Sequence, residues 1–116
     1  MKKENEDLNK SLLEYENMEK QLEVVLIQKH QLQIQMNEVK HALDELKKAE
    51  GEVYKSVGSI IMSTTKENAE KELKEKHELL EVKLNAIAKQ EEKLRSTVVD
   101  TQKKLQERMK EHEKGA

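Results

Sequence analysis

Residues 77–81, with the sequence HELLE, begin like the helical HExxH motif, in which two histidines one turn apart bind zinc and the glutamate acts as a general base. Glu81 stands where the second histidine would be, and the sequence suggests no third ligand. His77 also falls on an apolar heptad pattern. The other histidines are scattered, as exposed helix positions usually are: His30, His41 and His112. We therefore expect no metal site.

Other catalytic chemistry is equally poorly supported. Adjacent acids such as Glu91 and Glu92 occur because glutamate is abundant, and no pocket is indicated that would shift their pKa values. The sequence has no Gly-rich phosphate loop and no cysteine, which excludes disulfide and thiolate chemistry. We expect a protein that is not an enzyme and that uses no cofactor.

Composition narrows the class further. Of 116 residues, 40% are charged, 34% are hydrophobic and the two tyrosines are the sole aromatic residues, too little for a large globular core. The net charge is −2 with interleaved signs, so neither nucleic acid nor a membrane is an expected partner. The aliphatic run at residues 24–27 is far shorter than the roughly 20 residues that span a bilayer. We expect a soluble, cytoplasmic protein.

Both halves of the chain carry apolar residues at alternating spacings of three and four, the heptad pattern of a coiled coil. We call these positions the seams. The N-terminal seam is Leu8, Ser11, Tyr15, Met18, Leu22, Val25, Lys29, Leu32, Met36, Val39, Leu43 and Leu46. The C-terminal seam is Leu73, His77, Leu80, Leu84, Ile87, Glu91, Leu94, Val98, Thr101, Leu105, Arg108 and His112. They predict helices over about residues 5–50 and 66–114. Gly51 would stop the first helix, and either Thr65 alone or Thr64 with Glu67 would cap the second.

The two helices can bury their seams by folding back on each other as a long antiparallel coiled coil. In one register the seam cation Lys29 faces the seam anion Glu91, which favours this register over a heptad shift that separates them. The alternative is that both charges extend into solvent. The other predicted pairs are Leu46–Leu73, Leu43–His77, Val39–Leu80, Met36–Leu84, Leu32–Ile87, Val25–Leu94, Leu22–Val98 and Tyr15–Leu105.

Residues 53–65, VYKSVGSIIMSTT, interrupt the helical pattern with residues that favour β-strands. Gly58 is placed for a turn that needs positive φ, which predicts one β-hairpin over about residues 52–65. The alternative, a helical turn bearing an apolar knob, is disfavoured by the many β-branched residues. An isolated hairpin is marginal and its edges are unprotected, so we expect it to join hairpins of other chains in a sheet or barrel. The residues of this surface are Val53, Tyr54, Val57, Gly58, Ile60, Ile61 and Met62.

Three stretches carry a family resemblance: VYKSVGSIIM from residue 53, TTKENAEKEL from residue 64 and LNAIAKQEEKL from residue 84. With the order helix, single hairpin, helix, the chain resembles the β class of prefoldin subunits, particularly the archaeal form, over nearly its whole length as one domain, residues 1–116. The charged tails MKKENED and KEHEKGA depart from the family pattern.

The resemblance implies an ATP-independent holdase chaperone of two α-class and four β-class subunits. Their hairpins would form an intersubunit β-barrel, and the coiled-coil tips would capture unfolded proteins and deliver them to a group II chaperonin. The candidate client-binding residues, which we call the end residues, are Leu8, Leu12, Leu13, Tyr15, Val99, Leu105 and Met109.

A second class of function stays open, a structural coiled-coil module that oligomerises without binding clients. Apolar residues that helix pairing does not need would be costly on such a spacer. These residues are Leu12, Leu13, Val99 and Met109. The alternative for Leu12 and Leu13 is that they broaden the helix interface.

The first testable prediction concerns the register. Lys29→Glu and Glu91→Lys should each lower the free energy of unfolding by about 1 to 3 kcal/mol, because each leaves two like charges on the seams, and the double exchange should recover part of the loss. Chemical denaturation of the four proteins measures the coupling. A coupling near zero would show that the two side chains do not meet.

Overall fold

The computed structural model describes the backbone of residues 2–114 and the side chains of residues 5–113. Helix α1 spans Lys2–Lys48, strand β1 Val53–Val57, strand β2 Ile60–Thr64 and helix α2 Lys66–Lys114. The predicted class, a mostly α fold with two long helices joined by one β-hairpin, is confirmed. The intersubunit barrel and the single domain over residues 1–116 stay predictions.

The chain folds as two compact units, and both helices run through both of them. Residues 29–86 form one unit, which we call the hairpin unit because it contains β1 and β2. Of the described residues, 2–28 and 87–114 form the other, the helical unit.

The core of the hairpin unit is made of seam residues. Met36, Val39 and Leu80 are buried, and Leu80 is only 2% exposed. Four further seam leucines, all half-buried, pack against them: Leu32, Leu43, Leu73 and Leu84. Residues of α1 and α2 therefore share one apolar core in this unit, and the residue-by-residue register stays a prediction.

Leu46 is buried in the hairpin unit as well, so the helical unit, with three buried apolar residues among those described, has one fewer. Val25, Ile87 and Leu105 are buried, as is the small seam residue Ser11. Every residue from 106 to 113 of α2 is exposed, including the seam positions Arg108 and His112. The apolar interface of α2 in this unit thus ends at Leu105.

The join between α1 and β1 is stabilised by charge at the end of the helix. Lys47 and Lys48 occupy the last turn of α1, and the Lys66 ammonium donates to the carbonyls of Lys47 at 3.3 Å and Ala49 at 3.5 Å. Cations at this position stabilise the helix, because its C-terminal end carries a partial negative charge. The Lys66 ammonium also donates hydrogen bonds to carbonyls that lack partners within the helix. Gly51 adopts a φ of +90°, as its predicted role requires, although it lies three residues beyond the last helical residue.

Thr65 caps the start of α2. Its hydroxyl accepts a hydrogen bond from the Asn68 backbone N–H at 3.1 Å, and its carbonyl accepts the Ala69 N–H at 2.9 Å. Because Thr64 is the last residue of β2, the structure selects Thr65 from the two predicted capping arrangements.

Exposed helix faces are held by pairs of opposite charge one turn apart. Glu70 and Lys74 meet at 2.9 Å, and the bonded ammonium lowers the pKa of the Glu70 carboxyl. Such pairs support a helix locally and add little to the stability of the whole protein.

The core predicts a sharp contrast between adjacent leucines. Leu80→Ala should lower the free energy of unfolding by about 2 to 5 kcal/mol, because it leaves a cavity where Met36 and Val39 pack. Leu79→Ala is the control, since Leu79 is exposed. Urea unfolding followed by circular dichroism measures both, and equal losses would contradict this assignment of the core.

Candidate functional site

The hairpin is the first candidate surface, and its geometry follows from a two-residue turn. β1 and β2 pair antiparallel from Val53 opposite Thr64 to Val57 opposite Ile60. Gly58 has a φ of +61°, while Ser59 has no positive φ, the pattern of a type II′ turn with glycine in its first central position. The predicted use of Gly58 is therefore confirmed.

Apolar side chains of the hairpin are exposed on both of its faces. Tyr54 and Ile61 lie on one face, whereas Val57, Ile60 and Met62 lie on the other, as the alternation of side chains along paired strands requires. All of these side chains are exposed, Ile61 most of all at 74%. Val53, the remaining predicted assembly residue with a side chain, is half-buried.

Polar contacts hold the base of the hairpin. The Lys55 ammonium lies 3.1 Å from the Glu72 carboxylate of α2, which joins β1 to the helix. The Tyr54 hydroxyl donates to the Glu52 carboxylate, and this bond raises the pKa of Tyr54.

An open groove of about 790 Å³ lies beside β1, and its lining includes Leu46, Leu73 and Val57. Sequence reasoning missed the Lys55–Glu72 pair, because heptad spacing does not describe how a strand meets a helix.

The end residues divide into two sets. Leu12, Leu13, Val99 and Met109 are exposed, from 37% for Leu12 to 57% for Leu13. The other three take part in packing to different degrees, with Leu8 and Tyr15 half-buried and Leu105 buried. The first set can contact another molecule without any change in the helix pair.

Tyr15 also bonds along its own helix. The Glu19 carboxylate accepts from its hydroxyl, and this hydrogen bond raises the pKa of Tyr15. Glu19 lies with Glu16 and Glu23 along a groove of about 470 Å³ that Tyr15 lines as well. The helical unit therefore presents acidic side chains next to apolar ones.

Polar seam residues of the helical unit form specific hydrogen bonds. Arg108 Nη1 donates to the Asp7 carbonyl at 3.2 Å and to the Ser11 hydroxyl. The Thr101 hydroxyl donates to the Thr97 carbonyl at 2.7 Å on its own helix. Sequence reasoning treated these positions as a weakening of the seam and missed the Arg108 bonds. The signal was available, because the predicted register places Ser11 opposite Arg108.

This pairing places two exposed apolar residues on the same side of the helix pair. A right-handed helix turns by about 100° per residue. Because α1 and α2 run in opposite directions, the residues that follow two facing residues turn toward the same flank. Leu12 follows Ser11, and Met109 follows Arg108, so both lie on one flank.

Val99 lies on the same flank as Leu12 and Met109, because it too follows a residue that faces the other helix. Leu22 and Val98 line one groove, as expected of facing seam residues, and Val99 follows Val98. We call Leu12, Val99 and Met109 the apolar flank. Leu13 is a further step around α1 and lies away from it.

The predicted register pair stays a prediction. Glu91 has a side chain that is 14% exposed, and its carboxylate accepts from Arg95 Nε at 3.0 Å within α2. Lys29 is half-buried on α1.

The described residues offer neither a metal-binding cluster nor a membrane-spanning helix. That part of the chain contains no group of three or more His, Cys, Asp or Glu side chains placed to hold a metal ion. His77 instead lies 3.7 Å from Glu81, one turn away on the same helix. None of the helices, over the residues described, is long and apolar enough to cross a membrane.

Two long helices joined through a single exposed β-hairpin define a class of coiled-coil subunits with a β-hairpin connection. A family profile described as prefoldin subunit matches residues 9–112, so the chain belongs to the prefoldin subunit family. Prefoldin subunits are chaperones and not enzymes, in agreement with the expectation of no enzyme activity.

Similar proteins narrow the resemblance to the β class. The chain is 50% identical over 48 residues to the prefoldin subunit β of Pyrococcus horikoshii and, over the same length, to that of Pyrococcus abyssi. Each match covers 41% of this chain and 41% of the relative. The crystal structure of the prefoldin β subunit from Thermococcus strain KS-1 superposes with a TM-score of 0.80 at 40% identity, covering 87% of this chain and 90% of the other.

Proposed function

We propose that the chain is a β-class subunit of an ATP-independent holdase, which captures unfolded polypeptide through exposed apolar residues of the helical unit and delivers it to a group II chaperonin. The subunit would assemble through its hairpin with α-class subunits and other β-class copies, two α and four β in all.

One observation carries the proposal, the exposure of Leu12, Leu13, Val99 and Met109. None is needed to cover the apolar interface, which ends at Leu105, and exposed apolar surface favours association or aggregation. Three of the four lie on the apolar flank, so one segment of an unfolded chain can contact both helices. Leucine and methionine side chains also adapt to varied partners.

Binding at one subunit should be weak. A few half-exposed apolar side chains bury little area, and each buried CH₂ contributes only about 0.8 kcal/mol. Several subunits that hold one client raise the effective concentration of the rest, so useful affinity depends on assembly. Capture and assembly are therefore linked in this proposal.

The hairpin supplies the means of assembly. Five of its side chains are exposed apolar or aromatic groups, namely Tyr54, Val57, Ile60, Ile61 and Met62. A two-stranded ribbon leaves a row of backbone N–H and C=O groups open on each outer edge, and these groups favour pairing with strands of another chain. The same pairing would cover the apolar faces.

A structural module that binds no client is the second candidate. Exposed hairpin side chains fit both functions equally well, because both require assembly. Only the apolar flank favours the chaperone, so client binding must be tested separately from assembly.

The assembly prediction uses the hairpin residues on opposite faces. Replacing Ile60 and Ile61 by Lys should give smaller species that keep their helices, because the charges remain unpaired in any intersubunit sheet. Sedimentation with an α-class subunit present measures the size, and circular dichroism measures the helix content.

Leu79→Lys with Val82→Lys is the matched control, since it replaces two exposed apolar residues of α2 in the same unit. The control should assemble normally. If the hairpin variant sediments like the unchanged protein, the hairpin does not drive assembly.

The capture prediction exchanges the four exposed end residues, Leu12, Leu13, Val99 and Met109, for glutamine. Glutamine keeps helix propensity high, so assembly should persist while protection of a chemically denatured enzyme from aggregation falls severalfold. Light scattering after dilution from guanidinium measures protection, without ATP.

A matched variant changes exposed apolar residues elsewhere on the helices to glutamine: Val24, Ile27, Ile34 and Leu79. It should protect as well as the unchanged protein. Full protection by the first variant would favour the structural module or a capture surface elsewhere, and equal loss in both would mean that capture is spread along the helices.

A further inference from the structure

Arg108 links the end of α2 to α1 beyond the last buried residue of α2. All residues from 106 to 113 are exposed, so apolar packing does not hold this stretch in place. Arg108 nevertheless donates to the Asp7 carbonyl at 3.2 Å and to the Ser11 hydroxyl. Met109, one of the apolar flank residues, lies within the stretch that these bonds hold.

The two acceptors lie one helical turn apart on α1, so the guanidinium spans a full turn of its neighbour. Bonds to two points on a helix oppose sliding of α2 along α1 as well as rotation about a single contact. The serine at position 11 suits this contact, because its small side chain leaves room for a long one from the facing helix. Ser11 is only 6% exposed although Arg108 is exposed, which fits an arginine side chain that lies across it.

Both acceptors are uncharged, a hydroxyl and a backbone carbonyl. A bond from a charged donor is stronger than one between neutral groups, and the Asp7 carbonyl keeps a second lone pair after its bond within the helix. The contact consequently needs no acidic partner, and salt should weaken it less than an exposed ion pair.

The Arg108 contact lies next to two residues of the apolar flank, where the proposed function places client binding. Leu12 and Met109 directly follow Ser11 and Arg108, so bonds that join the two helices at Arg108 also limit how far these apolar residues can move relative to each other. We infer that Arg108 is a positioning residue for client capture, holding Leu12 and Met109 as one rigid apolar surface. The inference rests on the proposed function.

The test measures client affinity and local order separately in the full-length assembly. Arg108→Met keeps the length and removes the donors, so binding of a reduced and alkylated, fluorescently labelled polypeptide should weaken about three- to tenfold. The unfolding midpoint and assembly size should stay the same, because Arg108 is exposed. Hydrogen exchange should quicken at residues 106–112 and not at residues 36–43.

Arg95→Met is the matched control. Arg95 is the other arginine of the chain and donates to Glu91 within its own helix, so its loss should leave client affinity unchanged. Ser11→Ala removes one acceptor without adding apolar surface and should weaken binding less than Arg108→Met. Arg108→Lys, which keeps a cationic donor, should restore part of the affinity.

Comparison with Leu12→Gln plus Met109→Gln separates the two possible failures. If that pair lowers affinity while Arg108→Met and Ser11→Ala do not, the residues bind clients but Arg108 does not position them, and the inference is wrong. If the glutamine pair also binds normally, the proposed capture surface itself is wrong. Faster exchange at residues 106–112 with unchanged affinity would likewise overturn the positioning role.

Discussion

The narrow apolar interface between two highly charged helices is the constraint on which the rest of the structure depends. With 40% of residues charged, little more than the seams can be buried, and neither seam can be buried on its own helix. Helices in proteins gain most of their stability from packing an apolar face against another element. The buried side chains of the hairpin unit, such as Val39 and Leu80, show how this requirement is met by folding α2 back on α1.

The reversal of the chain creates the second constraint. A short helical loop would suffice to turn the chain, yet residues 53–64 form two strands that bury few of their own side chains. Lys55 and Glu72 join the hairpin to α2, and Lys66 neutralises the end of α1, so the base of the hairpin is held while its apolar residues are left exposed. That combination is costly for an isolated chain, and it makes sense where other strands cover the hairpin.

Much of this architecture could be predicted because it follows from the spacing and type of the apolar residues. Spacings of three and four predicted the helices, and β-branched residues around Gly58 predicted the hairpin and the positive φ of that glycine. Contacts made by long polar side chains could not be predicted in the same way. Lys66 and Lys55 each have several rotatable bonds, and heptad spacing constrains where such a side chain begins but not where its charge ends. The Arg108 contact was predictable in part, because the register places Arg108 opposite Ser11. The sequence left Thr64 and Thr65 open as the cap for another reason, since the choice depends on where β2 ends.

Seam positions near the ends of the helices show that a break in apolar pattern can have two physical meanings. The Thr101 hydroxyl donates to the Thr97 carbonyl, so this polar residue finds its hydrogen-bond partner within its own helix. At Ser11 and Arg108 the break is shared by both helices, with a small residue facing a long one and a bond between them. A register that pairs residues across an interface distinguishes these cases, whereas each seam read alone shows only a loss of hydrophobicity. Polar residues that face each other across two paired helices can therefore form a specific contact between the helices, as Ser11 and Arg108 do.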